Sequence, residues 1–312
     1  MSADLVDADT RPFDVCVVAH VTRDRIRSGG SWSIRPGGVA YYASLALHRL
    51  GRRVAVVTKM AREDQAELLS ELRSEGITVY CIDSAETTVF INEYKGSHDS
   101  RIQRVASVAA PFAPSDLGSV QAHWFYLGPL LSQDMSVEFV DSVRMRGKIS
   151  LDAQGLVRET EGEKIQAVHP AETEALMRPV SLLKVDAQEA NTLSGANGHE
   201  DAAGRLHALG PQEVVVTFAS KGSMIFDGKN FRYIDAVAGT VMDATGCGDT
   251  YLAAYLDRRL DSDDLERSGR FAAAAATLAL EREGALHAGP VEVRARMERP
   301  TRAERRPGLP SR

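Results

Sequence analysis

The segment with the clearest chemical potential spans residues 243–250. It reads DATGCGDT, and an amphipathic helical pattern follows it directly. Gly246 and Gly248 alternate with other residues, which allows a tight turn that points successive backbone N–H groups into one concavity. The positive end of the helix that begins there adds to the same potential. The segment therefore predicts a cradle for an anion such as a phosphoryl group.

Asp249 lies inside this cradle, in the first turn of the predicted helix. A carboxylate repels a phosphate, so an acid in this place needs a reason of its own. One reason is catalysis, in which the acid takes the proton from a hydroxyl group that attacks the phosphate in line. The other is structural, with Asp249 as the N-cap of the helix. The spacing alone leaves both interpretations open.

Composition and charge narrow the function classes. The chain has 312 residues, of which 44% are hydrophobic and 26% charged, as in an ordinary globular protein. Its 37 basic and 43 acidic side chains give a net charge of −6, which argues against a nucleic-acid partner but not against small anionic ligands. No apolar run approaches the ~20 residues of a membrane helix, so we expect no membrane partner. Three widely spaced cysteines, Cys16, Cys81 and Cys247, favour a cytoplasmic location over a disulfide framework.

Short apolar strands and helical stretches alternate along most of the chain, beginning with a strand at Val15–Ala19 and including a helix at Asp64–Ser74. This βαβ order predicts a parallel sheet with crossover helices. Two segments, at about 21–36 and 87–107, differ because they alternate around turns as antiparallel hairpins do. Together they predict a small second sheet. The Pro- and Arg-rich stretch at 299–312 predicts a disordered tail.

The chain resembles the ribokinase-like (PfkB) carbohydrate kinases in several motifs that occur in the family's order. DATGCGDTYLAAYL resembles their C-terminal motif, and RPGGVAYYASLALHRLG resembles their N-terminal Gly-Gly motif. The segments VAHVTRD, YLGPLL, LLKVDAQEAN and VVVTFASKGS are similar to further family landmarks. The resemblance covers about residues 13–298 and implies one kinase domain with an α/β, ribokinase-like fold. That fold has a central, mostly parallel sheet flanked by helices and a small β-sheet lid.

On the phosphate-donor side, the resemblance implies ATP and Mg²⁺ as cofactors. Asp249 matches the family's catalytic base. The surrounding backbone amides match its anion hole, at Thr245, Gly246, Cys247 and Gly248. Glu189 matches an acid that acts on the metal, here through water. Asp186 stands where that motif has Asn, and it either approaches the metal through water or caps a helix.

A loop after a predicted strand is similar to the family's TxGxxG pattern, which lies along the nucleotide. The matching residues are Thr217, Ser220, Lys221 and Gly222. Ala219 replaces the first glycine, which predicts a change in the loop backbone. Cys247 stands where the family has Ala. It either packs as a small apolar side chain or has its pKa lowered by the helix N-terminus.

On the acceptor side, Asp24 matches an acid that accepts hydrogen bonds from sugar hydroxyl groups, a role that suits a carboxylate. Gly37 and Gly38 match a pair that lets the substrate approach the backbone. Tyr42 stands where many sugar kinases of the family have Asn. This departure argues against ribose or fructose, and the surrounding motif is more similar to the branch that contains inositol kinases.

Two further residues are candidates for substrate contacts. Asn92 lies among apolar residues of a predicted lid strand, where it either reaches the substrate or faces solvent. Asp152 follows a predicted strand, at the edge where open α/β sheets bind ligands.

The resemblance implies a kinase that transfers the γ-phosphate of ATP directly to a hydroxyl group of a small sugar or polyol, inositol-like by these motifs. Two alternatives stay open. Tyr41 and Tyr42 can stack on the base of a nucleoside or on a hydroxymethylpyrimidine. The other alternative is a non-catalytic sensor of sugar or nucleotide, against which the retention of Asp249, both loop glycines and Glu189 argues. Because edge strands seek partners, the lid sheet also predicts a homodimer.

Overall fold

The computed structural model describes residues 11–28, 30–94 and 101–298. Their strands are β1 (Phe13–Ala19), β2 (Thr22–Ser28), β3 (Ser31–Gly37), β4 (Val54–Met60), β5 (Thr78–Asp83), β6 (Val89–Tyr94), β7 (Arg101–Ser107), β8 (Ala122–Gly128), β9 (Lys148–Asp152), β10 (Arg158–Glu161), β11 (Lys164–Ala167), β12 (Leu182–Asp186), β13 (Glu213–Thr217), β14 (Ser223–Phe226) and β15 (Phe231–Ile234). Their helices are α1 (Val39–Arg49), α2 (Gln65–Leu68), α3 (Ser70–Ser74), α4 (Val137–Arg144), α5 (Thr173–Met177), α6 (Ala187–Ser194), α7 (His199–Ala208), α8 (Cys247–Leu260), α9 (Leu265–Leu280) and α10 (Pro290–Met297). The predicted tail at 299–312 lies outside the described residues.

Within the described ranges, the larger sheet has nine strands in the order β15-β14-β13-β12-β9-β8-β1-β4-β5. The strands from β13 to β5 in this order pair in parallel, and β14 and β15 add an antiparallel edge. Parallel neighbours need long crossover connections, which the helices supply. The prediction of a central, mostly parallel sheet flanked by helices is confirmed.

Side chains of this sheet alternate between two apolar cores, one on each face. In β1, Val15 and Val17 join one core, whereas Cys16 and Val18 join the other. The first core includes residues of α1, α8 and α9, and the second includes residues of α4, α6 and α7. Because both faces are covered, the central strands are almost entirely apolar, and a charged side chain within them is an exception that needs an explanation.

A second, smaller sheet of the described residues has six strands in the order β10-β11-β7-β6-β2-β3. It contains both predicted hairpin segments, with β2–β3 and β6–β7 antiparallel and β2–β6 parallel. The hairpin β10–β11 widens this sheet beyond the predicted ranges. Sequence reasoning missed these two strands because each has only four residues, most of them charged or polar.

Two helical segments differ from the sequence-based expectation. The helix predicted at Asp64–Ser74 is interrupted: a 3₁₀ turn at Arg62–Asp64 leads into α2, and Leu69, with φ −99° and ψ 1°, separates α2 from α3. The sequence pattern does not predict α7, whose small and charged residues carry a weak apolar stripe. Across the described ranges, every helix is too short or too polar to cross a lipid bilayer.

Candidate active site

The predicted anion cradle forms the entry to α8. Gly246 is the N-cap residue, and its backbone is left-handed with φ +74°, a conformation that glycine adopts without strain. A Cβ atom at this position would lie 2.2 Å from the ring of Tyr42, so a larger residue does not fit without movement. Tyr42 is only 2% exposed. It therefore supports the turn, and its predicted contact with substrate has no support in this conformation.

Asp249 is the third residue of α8, and the alternative interpretation of it as the N-cap is wrong. Gly246 occupies the N-cap position, and no side chain caps the helix there. The amides of Gly248 and Asp249 belong to the first turn, whose N–H groups have no acceptor within a helix. The Thr245 amide instead donates to Asp243 Oδ1 at 2.9 Å and so closes the loop. Fewer backbone amides are therefore available to an anion than the four that were predicted.

The electrostatic surroundings of Asp249 fit a base. Burial and the nearby charge of Asp152 raise the pKa of the Asp249 carboxyl to about 7, while Lys184 and Arg158 act in the opposite direction. Proton transfer is most efficient when the pKa of the base lies near the working pH. A carboxylate with this pKa can take a proton from an alcohol at neutral pH as the phosphoryl group is transferred.

A buried ion pair lies beneath this helix start. Lys184 Nζ is 3.0 Å and 3.2 Å from the two carboxylate oxygens of Asp152, and the two residues are register neighbours on β12 and β9. Lys184 is 5% exposed and Asp152 is fully buried. Sequence reasoning placed Asp152 among the substrate contacts and missed Lys184. The available signal was a lysine inside an apolar strand of a chain with only seven lysines.

Asp186 and Glu189 form a reciprocal capping box at the start of α6. Asp186 Oδ1 accepts a hydrogen bond from the Glu189 amide at 2.8 Å, and Glu189 Oε2 accepts one from the Asp186 amide at 2.7 Å. This arrangement agrees with the cap interpretation of Asp186. Burial raises the pKa of the Glu189 carboxyl to about 7, although Lys184 acts to lower it.

The described residues contain no group of three or more His, Cys, Asp and Glu side chains that could hold a metal ion. Mg²⁺ does not require such a group, because it keeps several waters and usually binds one or two carboxylates together with substrate phosphates. Glu189 uses one oxygen in the capping box, and its second oxygen can accept a hydrogen bond from a metal-bound water. The residues present therefore fit an ion that the phosphate donor brings with it.

The loop after β13 forms a 3₁₀ turn at Ala219–Lys221. Ala219 has φ +49°, a left-handed conformation that glycine adopts more readily than alanine. Gly222 has φ +100°, and a Cβ atom there would lie 2.0 Å from the Ile234 carbonyl oxygen. Thr217 is half-buried, and Ser220 and Lys221 are exposed. Their contacts with a nucleotide stay a prediction.

The acceptor-side glycines lie against the backbone and side chains that follow β1. A Cβ atom at Gly37 would lie 2.5 Å from Asp24 Oδ2, and one at Gly38 would lie 2.4 Å from the His20 carbonyl oxygen. Asp24 is 5% exposed and accepts a hydrogen bond from the Thr22 hydroxyl at 2.7 Å. Close packing alone thus requires both glycines, whatever the substrate.

Asn92 is 2% exposed, so the alternative of a solvated sheet face is wrong for this residue. Its Oδ1 accepts a hydrogen bond from Gln103 Nε2 at 3.0 Å across β6 and β7. Tyr41 is also buried, and its hydroxyl donates to Glu71. The Tyr41 and Tyr42 rings therefore present no exposed face on which a nucleoside base could stack in this conformation.

An ion pair that sequence reasoning missed connects the smaller sheet to the cradle. Arg35 Nη2 of β3 lies 2.5 Å from Asp243 Oδ2 in the loop before α8. Arg35 is also the register neighbour of Asp24 across β2 and β3. One side chain thus lies between the candidate acceptor residue and the candidate phosphate loop.

Cys247 packs against the apolar core that includes α1, α8 and α9. Burial and the nearby Asp243 and Asp249 charges raise the pKa of its thiol to about 12, and its Sγ lies 3.8 Å from the Asp243 carbonyl oxygen. The alternative of a thiol pKa lowered by the helix N-terminus is wrong, because burial disfavours the thiolate more strongly.

Comparison with known proteins agrees with this arrangement. Residues 4–291 match the model of the pfkB family of carbohydrate kinases. The chain is 25% identical over 263 residues to the cytidine kinase of Thermococcus kodakarensis, which covers 78% of the chain and 87% of the relative. Among solved structures, a pyrophosphate-dependent kinase in the ribokinase family, in its sulfate complex, has a TM-score of 0.81 and 30% identity, covering 88% of this chain and 97% of that one. The same kind of kinase complexed with a pyrophosphate analog and myo-inositol gives a TM-score of 0.80 and 30% identity, at the same coverage.

The family match spans most of the chain, so this protein belongs to the pfkB family of carbohydrate kinases. It is a phosphotransferase with an alcohol group as acceptor. The sensor alternative is therefore wrong. The family resemblance and the ribokinase-like fold inferred from the motifs are confirmed.

Proposed function

We propose that this enzyme transfers a phosphoryl group from ATP to one hydroxyl group of a small polyol of the inositol type. The position of Asp249 carries the proposal: it is a carboxylate with a pKa near neutral in the first turn of α8, beside the left-handed turn at Gly246. The similarity to a kinase complexed with myo-inositol, at 30% identity over 88% of this chain, supports the acceptor class.

The chain's own residues supply the base and the anion hole for direct in-line transfer. Asp249 takes the proton from the attacking hydroxyl group, and the amides of Gly248 and Asp249 stabilise the charge on the transferred group. No covalent intermediate on the enzyme is required. When bound, Mg²⁺ supplies positive charge to the donor phosphates, and Glu189 would hold it through water.

Acceptor recognition falls to residues near the smaller sheet. Asp24 accepts hydrogen bonds from the hydroxyl groups of the polyol, and the inward-facing Asn92 adds an amide on the lid side. Residues 13–298 then act as one kinase domain in which segments 21–36 and 87–107 form a lid. Closure of this lid excludes water, which would otherwise compete with the acceptor for the phosphoryl group.

A nucleoside is the second candidate acceptor. The 25% identity to a cytidine kinase over 78% of this chain favours it. The burial of Tyr41 and Tyr42 counts against stacking on these two rings, so a nucleoside would need other contacts.

Pyrophosphate is the second candidate donor. The similarity to pyrophosphate-dependent kinases favours it, at 28–30% identity with TM-scores of 0.80–0.81. ATP remains the first candidate because the loop at Thr217, Ser220, Lys221 and Gly222 matches the nucleotide-binding pattern of the family.

A matrix of donors and acceptors tests these proposals. Turnover would be measured with Mg²⁺ and either ATP or pyrophosphate against myo-inositol, ribose, fructose, cytidine and adenosine, with Asp249→Asn as the matched inactive control. We expect the highest kcat/KM with myo-inositol and ATP. A preference for cytidine would replace the acceptor, and a preference for pyrophosphate would replace the donor. Turnover no greater than in the control for every pair would overturn the proposed reaction.

We also propose that the enzyme is a homodimer joined through the smaller sheet. β3 is an edge strand of that sheet, and it carries the exposed Trp32 and Ile34, at 53% and 54%. Edge strands with exposed apolar side chains favour pairing with another chain. A cytoplasmic location stays a prediction of the cysteine pattern.

A further inference from the structure

Lys184 is a buried charge that the proposed transfer does not yet use. It lies in the middle of β12, between the buried Leu183 and Val185, in a sheet that helices cover on both faces. Replacing a buried ion pair by well-packed apolar residues of similar volume is often neutral or stabilising. The burial of the pair of Lys184 with Asp152 is therefore weak evidence for a role in fold stability.

The ammonium group lies between the carboxyl ends of two strands and the first turn of α8. Its Nζ is 3.0 Å from Asp152 Oδ2 and 3.3 Å from the place that a Cβ atom on Gly248 would take. The N-terminus of a helix carries partial positive charge and repels a cation. Three carboxylates, those of Asp152, Asp249 and Glu189, outweigh that repulsion and the burial of the lysine, because they raise its pKa above the ordinary value.

We propose that Lys184 is a positioning residue of the phosphoryl transfer, which fixes the Asp152 carboxylate and places a buried positive charge beneath the first turn of α8. This inference rests on the proposed role of Asp249 as the base.

Charged and titratable groups face Asp249 from five elements. They are Tyr126 of β8, Asp152 of β9, Arg158 of β10, Lys184 of β12 and Glu189 of α6. Lys184 and Arg158 are the two cations among them, and Lys184 is the more deeply buried of the two. If Lys184 is removed, less positive charge offsets the carboxylates of Asp152 and Glu189 near Asp249. Asp249 should therefore keep its proton to higher pH. Because the base must be deprotonated, turnover at neutral pH then falls.

The test compares how Asp249 titrates in Lys184→Met, in Lys184→Arg and in the wild type. The carboxyl group is followed by ¹³C NMR and identified by its loss in Asp249→Asn, and the acid limb of kcat/KM is measured in parallel. We expect the wild-type midpoint at about 7. In Lys184→Met both midpoints should rise by about 1–3 pH units. Lys184→Arg keeps the positive charge, so both midpoints in that variant should stay close to the wild-type values.

Lys59→Met is the matched control. Lys59 is another buried lysine, 7% exposed and 2.6 Å from Asp116 Oδ2, on β4 of the same sheet. Its loss disturbs a buried ion pair without touching the candidate site, so the midpoint of Asp249 should not move. An unchanged midpoint in folded Lys184→Met, or an equal shift in Lys59→Met, would overturn the inference.

Lys184→Met leaves Asp152 buried without its partner, which can unfold the protein. In that event, Asp152→Asn and the double variant Asp152→Asn/Lys184→Met are compared, since neither leaves that carboxylate unpaired. The double variant should then titrate at higher pH than Asp152→Asn, and equal midpoints would overturn the inference. The NMR titration does not depend on turnover. A wild type without activity would therefore contradict the proposed function, and the titration would still test the role of Lys184.

Discussion

The carboxyl group of Asp249 is held in surroundings that oppose its ionisation. Burial and the charges of Asp152 and Glu189 favour the protonated acid, and the cations Lys184 and Arg158 favour the carboxylate. The balance gives a pKa of about 7, well above the ordinary value of 3.8. The surroundings therefore disfavour the carboxylate form of Asp249. The same raised pKa makes that carboxylate a stronger base, because it binds a proton more tightly.

Asp249→Asn should separate activity from stability. Turnover should fall by about 10²–10⁴-fold, the usual contribution of a general base. Stability should change with pH in a defined direction. Because the folded chain binds this proton more tightly than the unfolded chain, the wild type loses stability as pH rises from about 4 to about 7.

The asparagine variant avoids this loss, so its Tm should exceed that of the wild type at pH 8. The difference should shrink towards zero at pH 4. Each kcal/mol corresponds to roughly 2–4 °C in a chain of this size. Thermal unfolding at the two pH values measures this difference. The same Tm difference at pH 4 and at pH 8 would show that folding does not raise the pKa of the Asp249 carboxyl group.

At the scale of elements, a charged contact joins the smaller sheet to the entry of α8. Arg35 on β3 is paired with Asp243 at 2.5 Å, and Asp243 in turn accepts the Thr245 amide that closes the cradle. Both partners are at least partly buried, with side-chain exposures of 22% and 9%. Arg35 thereby links strand β3 to the loop that precedes α8.

Arg35→Met should disturb donor and acceptor sites together. We expect KM to rise for both substrates and kcat to fall about tenfold or more, because a displaced cradle loses its alignment with the attacking hydroxyl group. Arg25→Met is the control, since Arg25 is an exposed arginine of the neighbouring strand β2. Steady-state kinetics with both substrates varied measures the effect. A change confined to one KM, or an equal effect in the control, would contradict the link.

The loop after β13 shows how an element tolerates an unfavourable residue. Ala219 takes a left-handed backbone where the family's pattern has glycine, so the conformation of the turn outweighs the preference of the side chain. The expectation of a changed backbone rested on residue type alone. The tertiary contacts of Gly222 with the backbone of β15 explain why the turn is held as it is.

At the scale of the whole molecule, the smaller sheet carries three of the exposed large apolar side chains of the described residues. Trp32, Ile34 and Ile102 are 53%, 54% and 45% exposed, and by register Arg25 and Arg27 lie beside the first two. Trp32 and Ile34 lie on the edge strand β3, and exposed apolar side chains at a sheet edge commonly mark contacts between chains.

Size-exclusion chromatography with light scattering should give the mass of two chains for the wild type. Trp32→Glu combined with Ile34→Glu places charges at the proposed contact and should shift the mass towards one chain. Met145→Glu is the control, because Met145 is 79% exposed at the end of α4, away from the smaller sheet. A wild-type monomer at working concentration, or a double variant that stays dimeric, would contradict the proposed interface.

Local patterns in the sequence determined the class of this protein. Apolar alternation predicts the βαβ order, the glycine spacing predicts the turn at Gly246, and six ordered motifs identify the family. Each of these depends on residues close together in the chain, where backbone preference and periodicity act directly. The interruption of the helix predicted at Asp64–Ser74 and the strands β10 and β11 escaped this reasoning because short elements take their conformation from their neighbours.

Only the tertiary structure decided which distant residues meet. Lys184 lies beneath Gly248, Arg35 pairs with Asp243, and Tyr42 packs against the turn at Gly246. These contacts depend on strand register, on the face of the sheet to which a side chain points, and on where α8 crosses it. None of these is encoded in a short segment, because each arises from packing between elements far apart in the chain. The class of reaction was therefore readable from the sequence, whereas the contacts of Lys184 and Arg35 were not.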